Sequence, residues 1–344
     1  MASGPTGVEG RAFARAGLLG NPSDGYSGRT LSVAVRNFEA RVTLDEASEI
    51  RLEVPGEAPT TLGKLDALVD ALARQGYQGA PGRRLLQATL KVFHQHCSRN
   101  GFDLGDGGFT ARYMTSIPRQ AGLAGSSAIV IATLRALQAF YQVDIPEKAQ
   151  VGLALSAERD ELGITAGPQD RVIQVLEGLV YMDFSGESGD GQGHGAYEPL
   201  PPSLLPKLYL AYWPEPGEGS GKAHADLRAR WERGDEEVCE TLGAIADLAA
   251  TGREALLSGD HEELARLMNR NFDLRRRIME VQERDVSLAK GARALGASAK
   301  LPGSGGSIVG AYPDEQGLHR LEGALGGLGA RVEKVQPFSR DGAA

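Results

Sequence analysis

Four loops hold most of the residues in this sequence that are suited to chemistry. Residues 118–128 read PRQAGLAGSSA, so Gly122, Gly125 and two hydroxyls, Ser126 and Ser127, stand directly before an apolar run with helical spacing at 129–140. Glycine tolerates positive φ and has no Cβ to block an anion. The first turn of a helix adds unpaired N–H groups at the positive end of its dipole, so a phosphate could be held there. Capping of a core helix by the two serines is the other reading of the same residues. The remaining loops read GNPSDGYSGR at 20–29, GITAGPQDR at 163–171 and LPGSGGS at 301–307. Together the loops offer what phosphoryl transfer needs: a backbone cradle for phosphates, oxygens for Mg2+, a base near the acceptor hydroxyl and a cation for developing charge. The GxxxxGK[ST] loop and the HRD and DFG motifs of protein kinases are absent from the sequence.

Composition narrows the partners. The chain has 344 residues, 41% of them hydrophobic, and a net charge of −8, which allows one large or two modest domains with real cores. That charge argues against nucleic acid or an anionic membrane as partner, so anionic substrates must be met by local basic residues. Cys97 and Cys239 lie far apart and match neither a disulfide framework nor a zinc spacing, which fits a reducing, cytoplasmic setting. No apolar run approaches the roughly 20 residues of a membrane span. Residues 1–10 are expected to be a disordered tail.

The elements that must position the loops follow from periodicity. Alternation predicts strands at 31–36, 40–44 and 50–54, read as a β-meander, and another at 108–116. Helical spacing predicts helices at 62–74, 84–99 and 129–141, and one from 146 to about 161. Two strands are expected at 172–176 and 179–184, around a Glu177-Gly178 turn. The Gly/Ser/Asp-rich stretch 185–195 and the prolines of 199–206 then read as a domain boundary. A buried-type strand at 208–213 follows, then about four helices between 225 and 295. The end of the chain reads as a βαβ-like unit: strand 308–312, helix 316–328, strand 330–335.

The order and content of the loops resemble the GHMP family of small-molecule kinases, which includes galactokinase, homoserine kinase, mevalonate kinase and phosphomevalonate kinase. ARAGLLGNPSDGYSG is similar to the family's first motif, PRQAGLAGSSA to its phosphate loop and KLPGSGGS to its third motif, so the likeness spans almost the whole chain. AGPQDRVIQVLEGLVYMDFS and GSGKAHADLRARW resemble the branch that phosphorylates D-glucuronate rather than the family at large. The phosphate loop departs from the commoner GLGSSA by one extra residue, which leaves the metal-binding serine open between Ser126 and Ser127.

The resemblance implies an α+β, two-domain GHMP kinase fold. Residues 11–198 would form an N-terminal domain like domain 2 of ribosomal protein S5, and 199–344 a ferredoxin-like C-terminal domain. It implies ATP and Mg2+ as cofactors and D-glucuronate phosphorylated at the anomeric position. The alternatives are galacturonate, L-fucose or a heptose phosphate as acceptor, or a non-catalytic ligand-binding relative. Residue by residue, Gly122, Leu123, Ala124, Gly125, Ser126, Ser127 and Ala128 would wrap the ATP phosphates. Ser127, the favoured serine, and Glu158 of SAERDELG would bind the metal. Asp170 would be the base and Arg15 the cation beside it. Asn21 and Asp24 would hold sugar hydroxyls, and Gly303, Ser304, Gly305 and Gly306 would pack on the phosphate loop. A sugar acid also brings a carboxylate, for which Lys222, His224 and Arg228 are candidates and Arg29 and Arg119 the next choices. The other reading of GSGKAHADLRARW is an amphipathic helix with a solvated basic face.

Overall fold

The computed structural model describes residues 7–165, 167–186, 195–216 and 221–338, without the side chains at 221 and 222. Contacts divide the chain into two compact units. The first takes the chain up to residue 13, residues 38–116 and residues 125–166. Two long strands, β1 (Val8–Leu19) and β2 (Arg29–Ala47), contribute to both units. Phe38, Ala40, Val42 and Leu44 of β2 are buried while the residues between them are not, the period of a strand with one covered face. Next come β3 (Ile50–Glu53), β4 (Thr60–Gly63), α1 (Leu65–Gln75), α2 (Pro81–Arg99) and β5 (Gly108–Thr115). Here β5 lies antiparallel to residues 40–47 of β2 and parallel to β3, which also pairs with β4. The unit is completed by α3 (Gly125–Tyr141) and α4 (Glu147–Arg159), which pack with α2.

The second unit comprises residues 14–37, 117–124 and 167 onward. After α5 (Gln169–Leu176), β6 (Leu179–Asp183) pairs antiparallel with residues 29–33 of β2, and β7 (Ala196–Leu200) pairs with β6. A separate sheet has β8 (Leu208–Tyr212) at its centre. Four helices follow it: α6 (Gly221–Glu232), α7 (Glu236–Ser258), α8 (His261–Ile278) and α9 (Glu283–Ala294). Asp235 and Asp260 cap α7 and α8 by accepting the N–H of Val238 and Glu263. The chain ends in β9 (Ser307–Ala311), α10 (Glu315–Gly327) and β10 (Arg331–Lys334). Both outer strands are antiparallel to β8, so β9 and β10 run parallel with β8 inserted in their βαβ unit. Tyr209 and Ala211 of β8 share a core with Phe272 of α8, Val286 of α9 and Leu321 of α10.

Several expectations change. Strands 31–36 and 40–44 are one strand, β2, because residues 30–35 are buried on both faces and lose the alternation that returns at 38. The segment expected as strand 172–176 is helix α5, since an apolar run as short as VIQVL cannot separate a buried helix from a strand. The helix expected at 62–74 begins at Leu65, after β4. Residues 196–200 form β7, where Pro199 sits on an edge strand that tolerates its missing N–H. Val8–Gly10 belong to β1, so the expected tail does not reach residue 10; residues 1–6 lie outside the described residues, as do 187–194 of the expected linker. The boundary expected at 198 and 199 does not coincide with the division into compact units and stands as our proposal. Among the described residues no helix is long and apolar enough to cross a membrane.

Candidate active site

The second unit gathers a polar cluster around Arg15. Buried alanines at 14 and 16 hold this part of β1 in the interior, and Arg15 itself is 4% exposed. A buried guanidinium must have its donors met. Its Nε donates to Asp170 Oδ1 at 2.7 Å, and its Nη1 to the carbonyls of Gly122 at 2.6 Å and Pro302 at 3.0 Å. One side chain therefore ties the start of α5 to the loops 118–124 and 301–307. Asp170 occupies the first turn of α5, where the helix dipole favours a carboxylate. Burial works to raise its pKa, but the charges of Arg15 and Arg171 and the Arg15 hydrogen bond outweigh that, so Asp170 stays below the usual carboxylate value.

The loop before α3 presents its backbone in one sense. The carbonyls of Ala121, Gly122, Leu123 and Ala124 accept from Ser307 Oγ, Arg15 Nη1, Arg15 N and Gln174 Nε2 respectively. A trans peptide plane points its N–H opposite its C=O, so the N–H groups of 122–125 face away from those partners. Positive φ at Gln120, Gly122 and Ala124 (55°, 63° and 62°) alternates with ordinary backbone, the pattern that makes an anion-binding concavity. The loop 301–307 packs on it closely: a Cβ at Gly303 would lie 2.1 Å from the Gly122 carbonyl oxygen, and one at Gly306 would lie 2.0 Å from that of Gln120. Helix α3 then opens at Gly125, earlier than the apolar run suggested, because its first turn is polar and carries no periodic signal. In the first unit, Ser126 Oγ of that turn donates to Glu158 Oε1 at 2.6 Å. Ser127 and Glu158 are each 1% exposed.

Asp24 lies in a 3₁₀ turn, Ser23–Tyr26, just after the cis Asn21–Pro22 peptide. It accepts from Gln169 N at 3.3 Å and Gln169 Nε2 at 3.2 Å. Burial first, then the charge of Asp170, pushes Asp24 up to about 7, against the Gln169 N–H, Arg15 and Arg171. The two carboxylates are thus driven apart, one held ionised and the other near half-protonation at neutral pH. His224 of α6 is pushed down to about 4 by burial and the charge of Arg275, with Asp170 opposing, and is neutral at pH 7.

Other expected residues are placed differently. Asn21 is 2% exposed and is committed to Lys300 Nζ and the Leu301 carbonyl, so it holds the loop together. Arg228 donates to the Gly25 carbonyl at 2.8 Å and stacks over Tyr26 and Trp231, at 4.6 and 5.3 Å from the ring centroids. Arg29 is paired with Asp183 and Asp247, and Arg119 is exposed. The side chain of Lys222 lies outside the described residues.

Three buried charges went unnoticed in the sequence. Lys300 Nζ also donates to the carbonyls of Gly17 and Leu301, each at 2.7 Å. Asp285 accepts from Trp213 Nε1 at 3.0 Å and from Gly306 N at 2.8 Å, fixing the loop 301–307. Arg275 Nη1 donates to the Gly303 carbonyl at 2.6 Å. A signal existed for Arg275: it falls on the helical stripe of Leu264, Met268, Asn271 and Ile278, while Arg276 and Arg277 beside it are exposed. For metals, no group of three or more His, Cys, Asp or Glu side chains is assembled among the described residues. Glu158 with a serine hydroxyl is a hard-oxygen pair of the kind Mg2+ uses together with phosphate oxygens.

Comparison with known proteins gives the same family at two separate stretches of the chain. Residues 84–178 match the family described as GHMP kinases N terminal domain, and residues 253–329 match GHMP kinases C terminal. Glucuronokinase 1 of Arabidopsis thaliana is 46% identical over 308 residues, covering 88% of this chain and 84% of that protein. Probable glucuronokinase 2 of the same plant is also 46% identical, covering 88% and 83%. The structure of Lactococcus lactis galactokinase complexed with galactose superposes with a TM-score of 0.78 at 16% identity, covering 97% of this chain and 94% of that one; at that identity the likeness speaks for the fold alone.

Proposed function

The chain belongs to the GHMP kinase family, and from that premise we propose that it transfers the γ-phosphoryl group of ATP to the anomeric hydroxyl of D-glucuronate, giving ADP and glucuronate 1-phosphate. The observation that carries the chemistry is Arg15, one guanidinium holding Asp170 and the carbonyls of both glycine-rich loops. The choice of sugar acid rests on the plant glucuronokinases, which are similar along most of the chain. Asp170 receives the anomeric proton as the sugar oxygen bonds to phosphorus and the bond to the β–γ bridging oxygen breaks, and the proton then leaves to solvent. Its lowered pKa keeps it ionised and ready to accept. Arg15 stabilises the charge on the transferring group, and the N–H edges of 122–125 cradle the phosphates. Asp24 takes a sugar hydroxyl. Glu158 and Ser126 would hold Mg2+, which would supply positive charge to neutralise the phosphates. A cytoplasmic role in sugar metabolism, without a nucleic-acid or membrane partner, accords with the net charge of −8.

The test is ADP release from Mg·ATP with D-glucuronate, D-galacturonate, L-fucose and D-glucose, with the product identified by 31P NMR. Fastest turnover with glucuronate to a 1-phosphate is the expected result. A faster reaction with another sugar reassigns the acceptor, and no ADP release with any sugar removes the kinase reading. On the metal, Ser126→Ala should raise the Mg2+ concentration for half-maximal rate roughly 10- to 100-fold, the scale of a lost contact at a metal site, and Ser127→Ala much less. The reverse order in a Mg2+ titration would make Ser127 the ligand.

A further inference from the structure

Arg275 is a buried charge beside Asp24 and His224 to which the mechanism above gives no task. It is 3% exposed. Among the described residues its only protein acceptor is the Gly303 carbonyl, met by Nη1, while Nε is buried with no partner. The charge of Asp285 acts on it first, followed by Arg15, Asp24 and Tyr26, and its own charge acts on His224, which places it with the residues proposed for the sugar. Burial lowers its pKa only to about 10, so it is cationic at neutral pH. A buried guanidinium with an unmet donor is costly until an acceptor meets it. Nε and Nη2 share one edge of the guanidinium, and two N–H groups in a plane match the two oxygens of a carboxylate. Arg228, by contrast, is spent on Gly25, Tyr26 and Trp231.

We infer that Arg275 receives the carboxylate of the sugar acid and thereby sets the preference for a uronate over the neutral sugar of the same ring. The inference rests on the sugar-acid reading given above. The test compares kcat/KM for D-glucuronate and D-glucose, with KM for ATP, in the wild type and in Arg275→Gln. The glucuronate-to-glucose ratio should fall roughly 10- to 100-fold, the range of a charge-assisted hydrogen bond, with the rate on glucose and the KM for ATP little changed. A wild type that prefers glucuronate and a variant that keeps that preference overturn the inference alone. A wild type without the preference overturns the substrate reading and the inference with it. Equal losses on both sugars with a raised KM for ATP assign Arg275 to the phosphates and also overturn it. Should Arg275→Gln not fold, 15N-arginine-labelled wild type with ADP supplies the readout. The Arg275 Nε–H signal, identified by its loss in Arg275→Lys, should shift and exchange more slowly with glucuronate and not with glucose, and a signal that glucuronate leaves unmoved overturns the inference.

Discussion

Asp170→Asn should lower kcat with glucuronate by about 10²–10⁴-fold, the usual contribution of a positioned general base, while ATP and sugar still bind. Asparagine keeps the shape and can still accept from Arg15 Nε, so the tie between α5 and the two loops survives. It cannot take a proton. Removing the Asp170 charge should also lower the pKa of Asp24 from about 7, since that charge is second only to burial in holding it up. Stopped assays for ADP, calorimetric titration of both ligands and 13C NMR of the Asp24 carboxyl check the three parts. Near-normal turnover would reduce Asp170 to a positioning residue. Loss of folded protein by circular dichroism would mean that the carboxylate chiefly holds the start of α5.

Arg15→Met should cost both rate and stability, because the guanidinium serves three partners at once. Loss of a preorganised donor at the transferring group should lower kcat by about 10²–10³-fold. Breaking a buried pair by removing one partner typically costs ~3–5 kcal/mol, which would appear as a lower Tm. The pH profile separates the electrostatic part from the packing part. Asp170 must be ionised to accept a proton, so activity rises with pH through its pKa. Without Arg15, burial raises that pKa, with Arg171 at 3.8 Å left to oppose it, and the acid limb of kcat/KM should move to higher pH. In the wild type the sign for stability is the same: the depressed pKa means the pair stabilises the fold at neutral pH and loses that contribution as acid protonates Asp170. An acid limb in the same place as in the wild type would show that Arg15 does not tune the base. The double variant Arg15→Met with Asp170→Asn should regain Tm and remain inactive, because no buried carboxylate is then left unpaired.

The sequence by itself determined the four loops and the family, and it offered Arg15, Asp24, Glu158 and Asp170 as candidates with the serine open between Ser126 and Ser127, because glycines, hydroxyls and acids in short fixed spacing carry their chemistry locally. It also determined the four helices between 225 and 295, whose breaks at Gly234 and Gly259 are local backbone signals. Tertiary structure decided what depends on covering. The burial of residues 30–35 on both faces hides the strand period in β2, and the burial of Val172, Ile173 and Val175 makes α5 indistinguishable from a strand in sequence. The same holds for the cations. Arg228 reads as a carboxylate ligand but is engaged by two aromatic rings and a carbonyl, and Arg275 stands in a run of three arginines but alone among them is buried. Charge type is written in the residue. Whether that charge is neutralised, stacked or left open to a ligand depends on which distant groups the fold brings beside it: for Arg15 and Asp170 these lie 155 residues apart, and no local pattern fixes such a pairing.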